Sequence, residues 1–334
     1  MIKRKLGASG LEIAPLAFGG NVFGWTADEP TSFRLLDAFL AAGFNFIDTA
    51  DAYSHWVPGN KGGESETVIG NWLRRRRVRD QVIIATKVGV EMGPGESGLS
   101  KAYILRAVER SLQRLNTEYI DLYQSHRDDP DTPIDETLEA YAQLIREGRV
   151  RAIGASNFGA ARLAESRRIS AADGYPRYES LQPWYNLYDR TKFEGELADY
   201  CREEGLGVIP YFSLASGFLT GKYRQESDFK GSARGYRVKE MLNDRGKRIL
   251  GALDKVSREL NATPAQVSLA WLIAKGVTAP IASATSIEQL NELMSGVTLQ
   301  LNSDAVKTLD DASALRTTDV PAAEAPPPRR AAQE

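Results

Sequence analysis

Apolar and β-branched residues gather in short runs along the chain, and three of these, Gly43 to Ile47, Val82 to Thr86 and Tyr119 to Gln124, each give way to polar loop residues. Runs of this length with polar borders read as buried strands. Between them the period changes: in Lys101 to Leu115, the residues Ile104, Val108, Leu112 and Leu115 recur at helical spacing. The series opens with Leu16 to Phe18 and a helix from Thr31 to Ala42. Strand two ends at Ile47, before a helix from Glu64 to Arg75, and strand three is Val82 to Ala85. Strand four ends near Tyr123; its helix, Asp135 to Glu147, is stopped by Gly148, and Val150 to Gly154 makes strand five. Arg162 to Ser170 is helix, Glu179 to Gln182 strand, Lys192 to Glu204 helix and Gly207 to Pro210 strand seven. Pro264 to Ala274 reads as a helix with Thr263 as N-cap and Pro264 at its first position, and Val277 to Ile281 as strand eight.

Strand and helix alternate at roughly 30 to 40 residues per unit, the βαβ rhythm of a parallel sheet with right-handed crossovers. Eight such units predict an α/β fold, a (β/α)8 TIM barrel, over residues 1–316. The stretch from Phe212 to about Asp244 breaks the rhythm, and a loop this long after strand seven predicts a lid or specificity loop. Residues 317–334, rich in Ala and Pro with a charged end, predict a disordered tail.

Composition narrows the partners. Basic residues, 42, nearly balance the 44 acidic ones, so no net field points to nucleic acid or an anionic membrane. A lone cysteine, Cys201, excludes an internal disulfide, and two histidines with one cysteine do not support a metal site. The opening MIKRKLGASGLEIAP has no apolar signal core, and no uninterrupted apolar stretch reaches the ~18 residues a membrane helix needs. A cytoplasmic location is the default expectation; the oligomeric state is left open. The Arg74 to Arg77 run, with Arg79, reads as the solvated end of the second helix, where cations suit the macrodipole.

Asp48, Tyr53, Lys87 and His126 each fall just beyond a strand-like run. A β/α barrel delivers its chemistry at the carboxyl ends of parallel strands and the loops that follow. Taken singly, each residue has an ordinary structural account: a buried tyrosine, an ion pair, a loop histidine. Their joint placement at successive strand ends argues for catalysis.

The strings that carry these residues, Phe46-Ile47-Asp48-Thr49-Ala50-Asp51-Ala52-Tyr53, Ala85-Thr86-Lys87 and Ser125-His126, resemble the catalytic motifs of the aldo-keto reductases. Ile153-Gly154-Ala155-Ser156-Asn157-Phe158, Gln182-Pro183-Trp184-Tyr185-Asn186 and Tyr211 to Lys222 extend the resemblance in family order over roughly residues 1 to 315. It implies a short N-terminal β-hairpin, Lys3 to Ile13, closing the barrel bottom. It also implies reduction of a carbonyl by hydride, with Tyr53 giving the proton. An adjacent Lys87 ammonium would lower the phenol's pKa from about 10 toward working pH. Asp48 would hold Lys87, and His126 would orient the substrate oxygen.

The implied cofactor is a nicotinamide dinucleotide lying across the barrel mouth. Gly20 and Asn21 would contact it, Ser156, Asn157 and Gln182 would hold its carboxamide, and Tyr211 would stack on its ring. Phe212, Ser213, Leu214, Gly217, Leu219, Gly221 and Lys222 would follow the pyrophosphate, and Ser283, Ala284, Thr285, Ser286, Gln289 and Glu292 the adenine end. Many NADPH-preferring members carry Lys or Arg where Ser283, Thr285 or Gln289 stands here. Hydroxyls and a helix N-terminus at Ser286 still suit a phosphate, so NADP(H) is expected, with NAD(H) the alternative. Phe23, Trp25, Trp56, Trp184 and Tyr185 suggest an aromatic-rich pocket for a small aldehyde, ketone, sugar or alcohol. His55 reads as a rim residue. Competing readings are a cofactor-binding redox sensor resembling the potassium-channel β subunits, and, more poorly, a metal-dependent barrel hydrolase.

Overall fold

In the computed structural model, which describes residues 2–230, 235–316 and Asp319, the chain opens with an antiparallel hairpin of β1 (Arg4–Lys5) and β2 (Glu12–Ile13). Strands β3 (Ala17–Gly19), β4 (Phe46–Asp48), β5 (Ile83–Val88), β6 (Ile120–Ser125), β7 (Val150–Ser156), β8 (Tyr178–Gln182) and β9 (Gly207–Val208) pair parallel in chain order, and β10 (Ile281–Ala282) pairs with β3. Backbone bonds from Thr278 N to the Val208 carbonyl, 2.8 Å, and from Ile281 N to the Pro210 carbonyl, 2.9 Å, close the ring. The fold is a (β/α)8 barrel.

The helices outside are α1 (Glu29–Ala41), α2 (Glu64–Arg76), α3 (Lys101–Leu115), α4 (Ile134–Arg146), α5 (Ala160–Asp173) and α6 (Glu196–Glu203). They continue as α7 (Gly235–Val238), α8 (Asp244–Leu260), α9 (Pro264–Ala274), α10 (Ile287–Gly296) and α11 (Ser303–Ser313). Their starts follow the sequence: Asp28 caps α1 by accepting from Thr31 N, and Thr263 with Gln266 forms a reciprocal capping box on α9. Between helices and sheet lies the main core, with Trp72, Trp271, Tyr123 and Phe39 all but fully buried. A side chain such as Phe39 contributes ~1.5–3 kcal/mol by leaving water.

Inside the barrel the side-chain alternation of a strand decides everything. Phe46, Ile83, Ala85, Leu122 and Ala152 form an interior cluster with the hairpin's Leu6, Leu11 and Ile13, which plug the bottom. One pleat further along their own strands stand Asp48, Lys87 and Gln124, pointing into the same lumen at its other end.

Several boundaries differ from those the sequence predicts. Asp48 ends β4 and Lys87 lies within β5, so both are strand residues rather than the first residues beyond a strand. Residues 192–195 form a turn before α6. Of the Val277 to Ile281 run only Ile281 is strand. Helices α8 and α11 were not anticipated. The stretch after β9 is a string of 3₁₀ turns, Ala215–Thr220 and Glu226–Phe229, with α7 beyond them. It is anchored by buried Phe218 and Leu219, and by Arg224 paired through two bonds, 2.6 and 2.9 Å, with Asp254 of α8. The expected tail, 317–334, lies outside the described residues except for Asp319, which pairs with Arg248 at 2.8 Å. Among the described residues no helix is long and apolar enough to cross a membrane.

Candidate active site

Four inward residues of the barrel, Asp48, Lys87, Gln124 and Gln182, and one loop tyrosine form a single bonded group at the carboxyl ends of the strands. Lys87 Nζ donates to Asp48 Oδ2 at 2.8 Å, to the Thr49 carbonyl at 2.7 Å and to the Tyr53 hydroxyl at 3.1 Å. The other carboxylate oxygen of Asp48 accepts from Gln182 at 2.8 Å and Gln124 at 3.3 Å. Every donor of the ammonium and both oxygens of the carboxylate are therefore engaged, which makes a buried ion pair tolerable.

Burial lowers the pKa of Lys87, but the Asp48 carboxylate and the Tyr53 oxygen outweigh it and hold the amine above its ordinary pKa. For Tyr53, burial is the largest influence and raises the phenol above its ordinary value; Lys87 pulls against that rise without cancelling it. This corrects the expectation of a net lowering: desolvation of the phenolate outweighs the pull of the ammonium. His126, just past β6, donates its backbone N–H to the Val88 carbonyl at 2.8 Å, and its ring meets that of Tyr53 edge-on at 6.1 Å. Burial first, then the charges of Lys87 and Arg127, push its pKa well below the usual value, which favours the neutral imidazole.

A cavity of about 750 Å³ opens above this group and runs from Trp25, Trp56 and Arg127 past Tyr53 and His126 to Gln289 and Glu292. That size lies within the ~300–1,000 Å³ of small-molecule and cofactor sites. Asn157, held in left-handed backbone at φ 58, donates to the His126 carbonyl at 2.9 Å and accepts from the Tyr211 hydroxyl at 2.7 Å. Ser156 donates to the Gln182 carbonyl at 2.9 Å. Phe212, Ser213, Leu214, Gly217 and Lys222 line the middle of the cavity, where Gly217, at φ 96, leaves bare backbone. At the far end Ser283 donates to Asn21 at 2.6 Å and Thr285 to Gln289 at 3.1 Å, with Glu292 beside them.

Some expected contacts do not face the cavity. Gly20 uses its carbonyl to accept from Ser65, Leu219 is buried with its carbonyl turned to Ser268, and Ala284 is buried. Gly221 is absent from the lining, and Ser286 caps α10 by accepting from Gln289 N. Of the expected pocket aromatics, Trp25 and Trp56 line the mouth, but three do not. Phe23 stacks on Phe18 in the core at 5.2 Å. Tyr185 is buried with its hydroxyl on Glu194, 2.7 Å, and Trp184 is turned to Asp189, 2.7 Å, under the Lys192 ammonium. An aromatic residue in a loop after a strand can turn either way, and packing surface decided against the mouth here. The lining also includes Arg127, Ser216, Thr220, Tyr223, Ala265 and Leu293, which the sequence did not single out. For Arg127 the signal was its position directly after a strand-end histidine. No group of three or more His, Cys, Asp or Glu side chains among the described residues is placed to hold a metal.

The barrel mouth thus sets a phenol on a buried ammonium, beside a buried imidazole and a long cleft. The family model described as the aldo/keto reductase family matches residues 15–314. The chain is 35% identical to the oxidoreductase YrpG of Bacillus subtilis over 92% of this chain and 94% of that protein. It is 33% identical to the aldo-keto reductase YhdN of the same organism, over 91% and 89%. With the aldo-keto reductase AFTS1 of Alternaria alternata it shares 32% over 93% and 91%. The chain belongs to the aldo/keto reductase family, and so to the nicotinamide-dependent oxidoreductases of carbonyl compounds.

Proposed function

We propose that the protein interconverts aldehydes or ketones, sugar carbonyls included, with alcohols, using NADP(H) as hydride partner and Tyr53 as general acid and base. The observation that carries this reading is the 3.1 Å bond from Lys87 to the Tyr53 hydroxyl, with Asp48 fixing the amine from behind. A phenol kept protonated by burial has a proton to give as negative charge grows on a carbonyl oxygen, and the ammonium stabilises the phenolate left behind. In the reverse direction that phenolate takes the alcohol proton. His126, neutral, can hydrogen-bond the substrate oxygen without competing as an acid. Ser156, Asn157 and Gln182 would hold the nicotinamide carboxamide, Tyr211 its ring, and the Phe212 to Lys222 stretch the pyrophosphate. When bound, the dinucleotide supplies or accepts the hydride.

Ser283 and Thr285 bring hydroxyls to the adenine end, and the α10 N-terminus favours an anion there, which supports NADP(H). Glu292 in the same wall supports NAD(H) as a second reading, since a carboxylate repels a 2′-phosphate. Tyr53→Phe tests the whole assignment. Carbonyl reduction should fall at least ~100-fold, the usual contribution of a positioned acid. Calorimetric titration should find NADPH bound with nearly unchanged affinity, and more tightly than NADH. Retained turnover would remove Tyr53 from the mechanism; a clear NADH preference would reverse the cofactor choice.

A further inference from the structure

The cavity's substrate end carries one guanidinium, that of Arg127, and nothing among the described residues hydrogen-bonds or pairs with it. Its acidic neighbours are committed elsewhere: Asp128 accepts from Arg162 at 2.9 Å, and Asp129 from the Leu99 N–H at 2.7 Å and the Thr132 hydroxyl at 2.6 Å. The other cation close by, Lys87, is balanced by Asp48. The other carboxylate in the lining, Glu292, stands at the opposite end, and Lys222 sits in the stretch after β9. The lining that holds Trp25, Trp56 and His126 therefore includes a positive charge, that of Arg127, with no partner among the described residues.

We propose that Arg127 recognises an anionic group on the substrate, and that the preferred substrates are aldehydes or ketones carrying a carboxylate on an aromatic or similarly flat apolar body. The inference rests on the reading of this cavity as a carbonyl-reducing site. A guanidinium grips a carboxylate through two parallel N–H···O bonds, which gives position as well as attraction. The indole rings of Trp25 and Trp56, edge to face at 5.7 Å, would take the flat body.

The test compares 4-carboxybenzaldehyde with its methyl ester, which keeps the ring and the aldehyde and removes only the charge. Binding is followed by quenching of tryptophan fluorescence, and turnover by loss of NADPH absorbance, in wild type, Arg127→Met and Arg127→Lys. Wild type should favour the acid over the ester by roughly tenfold or more in both readouts, mostly through KM. The preference should collapse to near one in Arg127→Met, survive in part in Arg127→Lys, and weaken with salt. An acid-to-ester binding ratio near one in wild type, or the same ratio in wild type and Arg127→Met, overturns the proposal whatever the turnover. A loss of NADPH affinity in Arg127→Met that accounts for the change would also overturn it, by assigning the residue to the cofactor. If neither aldehyde is reduced by wild type, the carbonyl-reductase reading fails separately, while the binding ratio still decides the role of Arg127.

Discussion

Removing Lys87 and Asp48 together should do less damage than removing either should lead one to expect. Both are fully buried, and among the described residues the carboxylate has only the amides of Gln182 and Gln124 as further donors. In Lys87→Met the carboxylate keeps those two neutral bonds and loses its counter-charge, and breaking a buried pair this way costs about 3–5 kcal/mol. In Asp48→Asn the ammonium keeps the Thr49 carbonyl and the Tyr53 hydroxyl, with a loss of similar size. The double variant strands no charge. Its loss should fall short of the two single losses combined by ~2–3 kcal/mol, the upper end for residues in contact. Urea denaturation of all four proteins without cofactor, at equal m-values, measures the difference. Additivity within ~0.5 kcal/mol would mean the two groups do not interact as a desolvated pair, and the account of Lys87 as a charge held under Tyr53 would fall with it.

Two further predictions concern packing and protonation. An added Cβ at Gly70 in α2 would meet the backbone of Arg114 and Leu115 in α3, so Gly70→Ala should lower stability by ~1–3 kcal/mol. By contrast, Gly251→Ala, on the exposed side of α8 with open space around it, should raise stability by up to ~1 kcal/mol; melting curves showing the same sign for both would refute the packing argument. Asp51 is buried with both carboxylate oxygens unpartnered among the described residues, and burial, with Glu66 close by, pushes its pKa up to about 8. In the unfolded chain it ionises near ~4, so the stability it contributes is complete below that pH and is lost as pH rises toward 8. Asp51→Asn should therefore gain in melting temperature on wild type from pH 5 to pH 8, and a gap that does not change with pH would show that Asp51 is ionised in the fold.

The barrel was legible because its period was. Apolar runs followed by helical spacing, repeated, can be read without knowing any contact, and β3 to β10 stand close to where those runs predict them. The edges were misplaced for one physical reason: an apolar run stops at its first charged residue, whereas β4 and β5 continue through Asp48 and Lys87 because those charges pair with each other inside the barrel. Helix α8 carried its signal openly, with Ile249, Leu250, Leu253 and Val256 buried on one face and Asn243 as cap, but the segment before it drew attention as a loop. Helix α11 buries little beyond Ala305 and Leu309, too sparse a stripe to announce itself. In the site, positions along strands were readable and orientations in loops were not. That is why Asp48 and Lys87 meet as expected while Phe23 and Tyr185 turn into the core.

The same alternation that exposed the fold also explains why the site sits where it does. Phe46 and Asp48, Ala85 and Lys87, and Leu122 and Gln124 are successive inward residues on three neighbouring strands, and the registers Asp48 with Ala85 and Lys87 with Gln124 keep them level. Each strand thus changes from apolar to polar at nearly the same height in the lumen. Below that height the hairpin supplies Leu6, Leu11 and Ile13 to exclude water; above it, hydrogen bonds must do the filling. Asp48 answers by accepting from β5 through Lys87, from β6 through Gln124 and, across the lumen, from β8 through Gln182. A one-residue slip of β4 would send Asp48 outward into the apolar layer around Ile47 and Ile84, leaving Lys87 buried without its counter-charge. The ion pair that prepares Tyr53 therefore also penalises the wrong register, so the chemistry and the strand alignment are specified by the same three bonds.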